Sequence, residues 1–146
     1  MVGIIITGHG NFGSGLTSSL KLIAGEPQAY ETVDFIEAYS TEDLDRELRA
    51  AIDRLDDCEG IIVLSDLPGG SPFKTAVMIT QDYKKPIEVI AGTNLPMLIE
   101  LSMARTMMED MSMLVAMALN TGKEQVVKFE MKTPKTKVAN DDEGGI

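Results

Sequence analysis

Three short and mostly apolar runs and one segment of β-branched and aromatic residues with partial alternation, residues 30–38, recur along the chain, and glycine, proline or turn residues bound them. Runs of this kind are typical of strands that are buried on both faces of a parallel sheet. The predicted strands are Val2–Thr7, Tyr30–Ala38, Ile61–Leu64 and Ile87–Ala91. The segments that follow them have apolar residues at helical spacing, so strands and helices alternate.

The first two helices are predicted from periodicity and from their ends. In the first, leucine and isoleucine recur at i, i+4 and i+7 from Leu16, and Gly25 is placed to act as the C-cap. In the second, Ser40 lies three residues before Asp43, which resembles a capping box. This second helix is predicted to end near Asp57.

The C-terminal half adds two further helical regions. Ser71 as N-cap and Pro72 at the first helical position predict the start of the third helix. Residues 95–120 are also predicted to be helical, in two pieces around Glu109, and they hold seven of the ten methionines. Helically spaced methionines favour an adaptable core or a subunit interface, and we expect an interface here. Val126–Met131 is a possible fifth strand.

This alternation predicts an α/β fold with three layers, in which helices cover both faces of a parallel sheet. Ligands of such sheets bind beyond the carboxyl ends of the strands, where the strand order reverses. With the order 2-1-3-4, the glycine-rich loops at residues 8–15 and 66–71 face each other across one crevice. Residues 1–131 are expected to form the domain, and 132–146 a polar, flexible tail.

Composition narrows the possible functions. The chain has 146 residues and one cysteine, which excludes an internal disulfide and a cysteine-based zinc site. Its single histidine excludes a multi-histidine metal cluster, so no metal or cofactor is expected. The net charge of −10 argues against nucleic acid as a partner. No charged stretch precedes the first apolar run, so a cytoplasmic location is expected.

The single histidine, His9, lies between Gly8 and Gly10 directly after the first strand. A lone histidine is compatible with a structural or surface role. Its flanking glycines instead favour a functional one, because they let backbone and ligand approach closely and leave the imidazole unshielded.

The second loop places Asp66 at the end of the third strand, followed by Gly69, Gly70 and Ser71. Asp66 and the glycines can be simple turn residues, and Ser71 an N-cap alone. The functional interpretation is a carboxylate that orients the imidazole of His9 beside N–H groups that bind an anion. These parts together predict a phosphohistidine site, at which phosphoryl transfer needs positioning and charge stabilisation.

A competing motif overlaps the first loop. Residues 8–13 fit the pattern G-x-G-x-x-G of dinucleotide-binding folds, and Asp34 and Glu37 stand where a ribose-binding acid would. Three features weaken this nucleotide-binding hypothesis: the small number of strands, the bulky His9 inside the motif, and the second loop, which has no standard role in that fold.

Two segments resemble the signatures of a known family. GIIITGHGNFGSGL near the N-terminus and LSDLPGGSPFKTA in the middle look like those of the mannose-family enzyme IIA component. This family carries phosphoryl groups in the bacterial phosphoenolpyruvate-dependent sugar phosphotransferase system, and the resemblance covers roughly residues 1–130. The family's middle motif often has tryptophan at the position of Pro68 and asparagine at that of Lys74.

The resemblance implies a function and a site. His9 would accept a phosphoryl group from the carrier protein HPr and pass it to an enzyme IIB component, which serves the membrane components IIC and IID. Asp66 would be the hydrogen-bonding partner of His9. Gly10, Gly69, Gly70 and Ser71 would bind the phosphoryl group. IIB is expected to be a separate protein, because no IIB segment follows in this sequence.

The resemblance also implies a homodimer. In the family, a C-terminal strand adds antiparallel to the edge of the sheet and is exchanged between subunits, and Val126–Met131 would be that strand. A rival within the same fold is the phosphotransferase subunit of a dihydroxyacetone kinase system, which also carries phosphate on histidine. The G-H-G context of His9 and the DLPGGSP loop fit the sugar-transport branch better.

Overall fold

The computed structural model describes residues 1–132. They form a parallel sheet of four strands in the order β2-β1-β3-β4, which confirms the predicted order. The strands are β1 (Gly3–His9), β2 (Tyr30–Phe35), β3 (Ile61–Leu64) and β4 (Ile87–Ile90). The helices are α1 (Phe12–Ala24), α2 (Thr41–Arg54), α3 (Ser71–Ile79), α4 (Leu95–Ala104) and α5 (Met111–Glu124).

Two apolar clusters lie on the two faces of the sheet, because successive strand residues point to opposite sides. Ile4 and Ile6 of β1 pack into the cluster that includes side chains of α1, α4 and α5. Ile5 packs into the other cluster, with side chains of α2 and α3. The helices that follow β1 and β3 therefore cover opposite faces, so the strand order reverses between these two strands.

Several predicted ends differ from the structure. β1 continues to His9, which pairs with Phe35 in β2. β2 ends at Phe35, three residues early, because a turn follows in which the N–H of Tyr39 donates to the carbonyl of Ile36. The last helical region divides as predicted, since Asp110 caps α5 by accepting a hydrogen bond from the N–H of Met113.

Helix α2 ends at Arg54 instead of near Asp57. The ammonium group of Lys85 donates to the carbonyls of Leu55, Asp56 and Cys58 at 3.0–3.1 Å. These carbonyls follow the last helical residue, so the lysine binds the turn by which the chain leaves α2 and satisfies backbone groups that the helix does not.

Val126–Met131 forms no strand within the described chain, and these six residues are exposed. The predicted fifth strand therefore has no partner inside one subunit, and its exchange between subunits stays a prediction. The predicted polar tail lies outside the described residues apart from Lys132.

The capping box of α2 provides a test of local stability. The hydroxyl of Ser40 accepts a hydrogen bond from the N–H of Asp43 at 3.1 Å, and the carboxylate of Asp43 accepts one from the N–H of Ser40 at 2.9 Å. Ser40→Ala should lower the free energy of unfolding by about 1 kcal/mol in urea denaturation. Thr41→Ala, one residue on, should change it by less than about 0.5 kcal/mol. Equal losses in both variants would contradict the role of the cap.

Candidate functional site

His9 is the last residue of the central strand β1, and its side chain is 46% exposed. Gly8 is required before it, because a Cβ there would lie 2.6 Å from the ring of Phe12. Gly10 after it has a φ of +60°, a left-handed conformation that favours glycine and turns the chain towards α1. The imidazole is thus presented at the carboxyl edge of the sheet by a strand whose interior is fully buried.

Asp66 follows β3 and binds His9 twice. Its Oδ2 accepts a hydrogen bond from the backbone N–H of His9 at 2.8 Å and lies 2.7 Å from the ring Nδ1. Its Oδ1 accepts a third hydrogen bond, from the N–H of Leu67 at 2.7 Å. The side chain of Asp66 is only 11% exposed, so this carboxylate is held in one orientation.

Burial raises the pKa of Asp66, but the hydrogen bonds from the N–H and ring of His9 and from the N–H of Leu67 outweigh it. The pKa of Asp66 is therefore lower than usual. The carboxyl group is ionised at neutral pH and accepts hydrogen bonds only.

This contact distinguishes the two nitrogens of His9. In the neutral ring, Nδ1 carries the proton and donates a hydrogen bond to Asp66, since an ionised carboxylate can only accept. The other nitrogen, Nε2, then has a free lone pair, and no described residue forms a hydrogen bond with it. The arrangement makes Nε2 a nucleophile.

The second loop lies against the imidazole. A Cβ on Gly70 would come within 2.9 Å of the Cε1 atom of His9, so only glycine fits without displacement. Gly69 has a φ of +81°, which again favours glycine. The two glycines thus let the backbone before α3 lie close to the imidazole of His9.

The structure corrects the predicted helix start. Gly70, and not Ser71, is the N-cap of α3, and Ser71 is the first helical residue. The N–H of Gly70 donates to the carbonyl of Leu67 and that of Gly10 to the carbonyl of Phe35, so both amides are already engaged. Of the predicted phosphoryl-binding residues, Gly69 and Ser71 keep donors that no described residue pairs with: the two N–H groups and the Ser71 hydroxyl. These groups lie at the start of a helix, where N–H groups bind anions.

Phe35 is a site residue that the sequence did not single out. Its ring meets that of His9 edge-on, with centroids 5.9 Å apart at an interplanar angle of 60°. The sequence carried no local signal for it, because the contact depends on the register that pairs His9 with Phe35. The ring restricts the imidazole on the side away from Asp66.

The nucleotide-binding hypothesis loses its main support. Asp34, the expected ribose-binding acid, accepts hydrogen bonds from the N–H and the hydroxyl of Ser14 at 2.9 and 2.5 Å. Its carboxylate therefore connects β2 to the first turn of α1.

The site is an open surface. Three cavities, of about 530, 210 and 350 Å³, have linings that include neither His9 nor Asp66. The first of them lies beside the buried Arg105, which donates to the carbonyl of Val2 at the amino end of β1. A half-exposed imidazole that lines none of these three cavities suits a macromolecular partner better than an enclosed small molecule.

Comparison with known proteins gives one consistent family. Residues 3–119 match the EIIA-man family, described as PTS system fructose IIA component. The chain is 37% identical over 131 residues to the mannose-specific EIIAB component of Escherichia coli K12, which covers 90% of this chain and 40% of that protein. It is 31% identical over 101 residues to the fructose-specific EIIA component of Bacillus subtilis, covering 68% of each.

Solved structures of phosphotransferase system IIA proteins are similar to this chain. A phosphotransferase system component EIIA from Streptococcus agalactiae superposes with a TM-score of 0.81 at 37% identity, covering 88% of this chain and 97% of that one. A mannose/sorbose-specific IIA subunit from Enterococcus faecalis superposes with a TM-score of 0.80 at 26% identity, covering 90% of this chain and 97% of that one.

None of the helices in residues 1–132 is long and apolar enough to span a bilayer.

The lowered pKa of Asp66 predicts a pH dependence of stability. A carboxyl group whose pKa is lower in the folded state stabilises the fold above its unfolded pKa of about 3.9, and this contribution disappears as the pH falls through the folded value. The difference in unfolding free energy between the wild type and Asp66→Asn should therefore be largest above about pH 4 and shrink below it. Urea titrations from pH 7 to pH 2.5 measure this difference, and a constant difference would contradict the assignment.

Proposed function

We propose that this chain, which belongs to the EIIA-man family of phosphotransferase system IIA components, is a phosphoryl carrier that accepts its phosphoryl group on His9. One observation carries the proposal: Asp66 holds Nδ1 of His9 and leaves Nε2 free on an open surface. The chain spans 40% of the length of the Escherichia coli relative, so its activity and partners are proposed here for this domain alone.

In the proposed step, the Nε2 lone pair of neutral His9 attacks the phosphorus of a phosphohistidine on HPr. The bond between phosphorus and Nε2 forms while the bond to the donor imidazole breaks, and the donor nitrogen keeps that electron pair. Nδ1 of His9 keeps its proton. Asp66 stabilises the positive charge that develops on the ring, because its carboxylate lies 2.7 Å from Nδ1.

The phosphoryl oxygens are assigned to the donors that the fold leaves unpaired. Among the predicted phosphoryl-binding residues, these are the N–H groups of Gly69 and Ser71 and the Ser71 hydroxyl, at the start of α3. Gly70 contributes by its close approach to the ring, and Gly10 by turning the chain after His9. The role of these two glycines is therefore proposed to be steric and conformational instead of hydrogen bonding.

We assign residues 1–131 to the IIA domain and place it in the cytoplasm. The proposed acceptor is an enzyme IIB component of a sugar phosphotransferase system, which serves the membrane components IIC and IID. The relatives support this branch over a dihydroxyacetone kinase system, since their names specify mannose, fructose and sorbose EIIA components.

Phosphate labelling tests the carrier mechanism. With phosphoenolpyruvate, enzyme I and HPr, the wild type should gain one acid-labile phosphoryl group and His9→Ala none. Asp66→Ala should be labelled about 100-fold more slowly, the loss expected when a reacting group is no longer held in place. Asp57→Ala removes an exposed carboxylate at the other end of β3 and should be labelled at the wild-type rate. Normal labelling of His9→Ala would refute the proposal.

The exposed segment after α5 supports a homodimer. Val127, Phe129 and Met131 are 76–80% exposed and alternate with charged residues, which is the pattern of a strand with one buried face. β4 is an edge strand of the sheet and offers unpaired backbone groups to such a segment. We therefore propose that Val126–Met131 pairs with the sheet of a second subunit.

Sedimentation tests this dimer. The wild type should sediment as a dimer, and Phe129→Asp should shift it towards the monomer, because the change puts a charge on the proposed buried face. Lys128→Gln alters the net charge by the same amount on the opposite face and should leave the dimer intact. A monomeric wild type, or equal effects of both substitutions, would contradict the strand exchange.

A further inference from the structure

The candidate site has a deficit of positive charge. The loops beyond the four strands (residues 9–14, 35–42, 65–73 and 91–97) contain no lysine or arginine. The side chain that binds the imidazole is the anionic Asp66, and the whole chain carries −10. A phosphoryl group on His9 would add about −1.5 to −2 more. Only uncharged donors, the N–H groups of Gly69 and Ser71 and the Ser71 hydroxyl, would then face a doubly charged group beside a carboxylate.

Lys74 is the first cation after the second loop, and it stands in the opening turns of α3. Its backbone N–H donates to the carbonyl of Gly70 at 2.8 Å, so it lies one helical turn above the glycine that touches His9. Helical side chains lean towards the N-terminus of their helix. A lysine side chain is about as long as the helical pitch of about 5.4 Å, so its ammonium group can reach the level of Gly70.

The helix itself gives no reason for a cation at this place. A positive charge near a helix N-terminus is unfavourable with the helix dipole, and the first turn of α3 contains no acidic residue to compensate. Lys74 is exposed and takes part in none of the ion pairs of residues 1–132, whereas Lys21 and Lys85 do. An anion held at the start of α3 would remove this conflict.

We propose that Lys74 is a phosphoryl-binding residue, whose ammonium group pairs with the phosphoryl oxygens on Nε2 of phosphorylated His9. This inference rests on the proposed carrier function and names a further side chain of the same site. Lys74 remains protonated throughout: the bond from phosphorus to the donor nitrogen breaks, the bond to Nε2 forms, and Lys74 neutralises charge on the oxygens. The positive charge of Lys74 attracts the incoming phosphoryl group, whereas the negative charge of Asp66 repels it.

The experiment compares Lys74→Gln with Lys74→Arg and with Lys84→Gln. Lys84 is an exposed lysine before β4, at the opposite edge of the sheet, and its replacement alters the net charge equally. With phospho-HPr as donor, Lys74→Gln should be phosphorylated about 3- to 10-fold more slowly than the wild type. Lys74→Arg should retain most of the rate, and Lys84→Gln all of it.

A second readout excludes an effect on docking of HPr. In the isolated phosphorylated protein, ³¹P NMR gives the pKa of the second ionisation of the phosphoryl group. A neighbouring ammonium favours the dianion, so this pKa should rise by about 0.5 to 1 in Lys74→Gln and stay unchanged in Lys84→Gln. Equal unfolding midpoints of the variants would confirm that the fold is intact.

The outcomes separate the two proposals. A wild type that takes no phosphate on His9 overturns the carrier function and this inference with it. A wild type that is phosphorylated normally, with an unchanged phosphoryl pKa in Lys74→Gln, overturns the inference alone, even if transfer from HPr is slower. A loss of rate in Lys84→Gln equal to that in Lys74→Gln also overturns it, because net charge would then be the cause.

Discussion

One oxygen atom organises the site. Oδ2 of Asp66 accepts hydrogen bonds from both the backbone and the ring of His9, so the carboxylate joins the ends of β1 and β3 and at the same time selects the protonated nitrogen. The backbone contact holds the strand end, and the ring contact leaves Nε2 for chemistry. An amide side chain could reproduce the shape of this contact but not its charge, which is needed when the imidazole becomes cationic.

The sheet makes this contact possible. Parallel strands bring their carboxyl ends to one edge, and the order β2-β1-β3-β4 places the two glycine-rich loops side by side. Glycine is needed at Gly8, where the ring of Phe12 packs, and at Gly70, where the ring of His9 packs. In both loops, the missing Cβ of a glycine lets an aromatic ring contact the backbone. The imidazole is therefore held by these contacts and by Asp66 without being enclosed in a cavity.

Much of the sheet and of the contact between His9 and Asp66 was predictable from residues 2–91. Segments rich in β-branched and apolar residues predicted all four strands, the order 2-1-3-4 was the order of the family that the sequence resembles, and the pairing of His9 with Asp66 followed from loop position once that order was taken. The ends of elements were less accurate, because they depend on contacts distant in sequence: the ammonium of Lys85 binds the turn that follows α2, and Gly70 replaces Ser71 as the cap of α3. The contact of Phe35 with His9 was missed because it depends on strand register, which no local pattern reveals.

The single outward nitrogen limits how the carrier is used. A donor and an acceptor that both exchange phosphorus with Nε2 must approach the same small area, since Asp66 covers the other nitrogen and Phe35 and Gly70 flank the ring. Two such proteins cannot occupy that area together. Under the proposed function, each turnover requires the donor protein to dissociate before the acceptor protein binds, so an excess of either one competes with binding of the other.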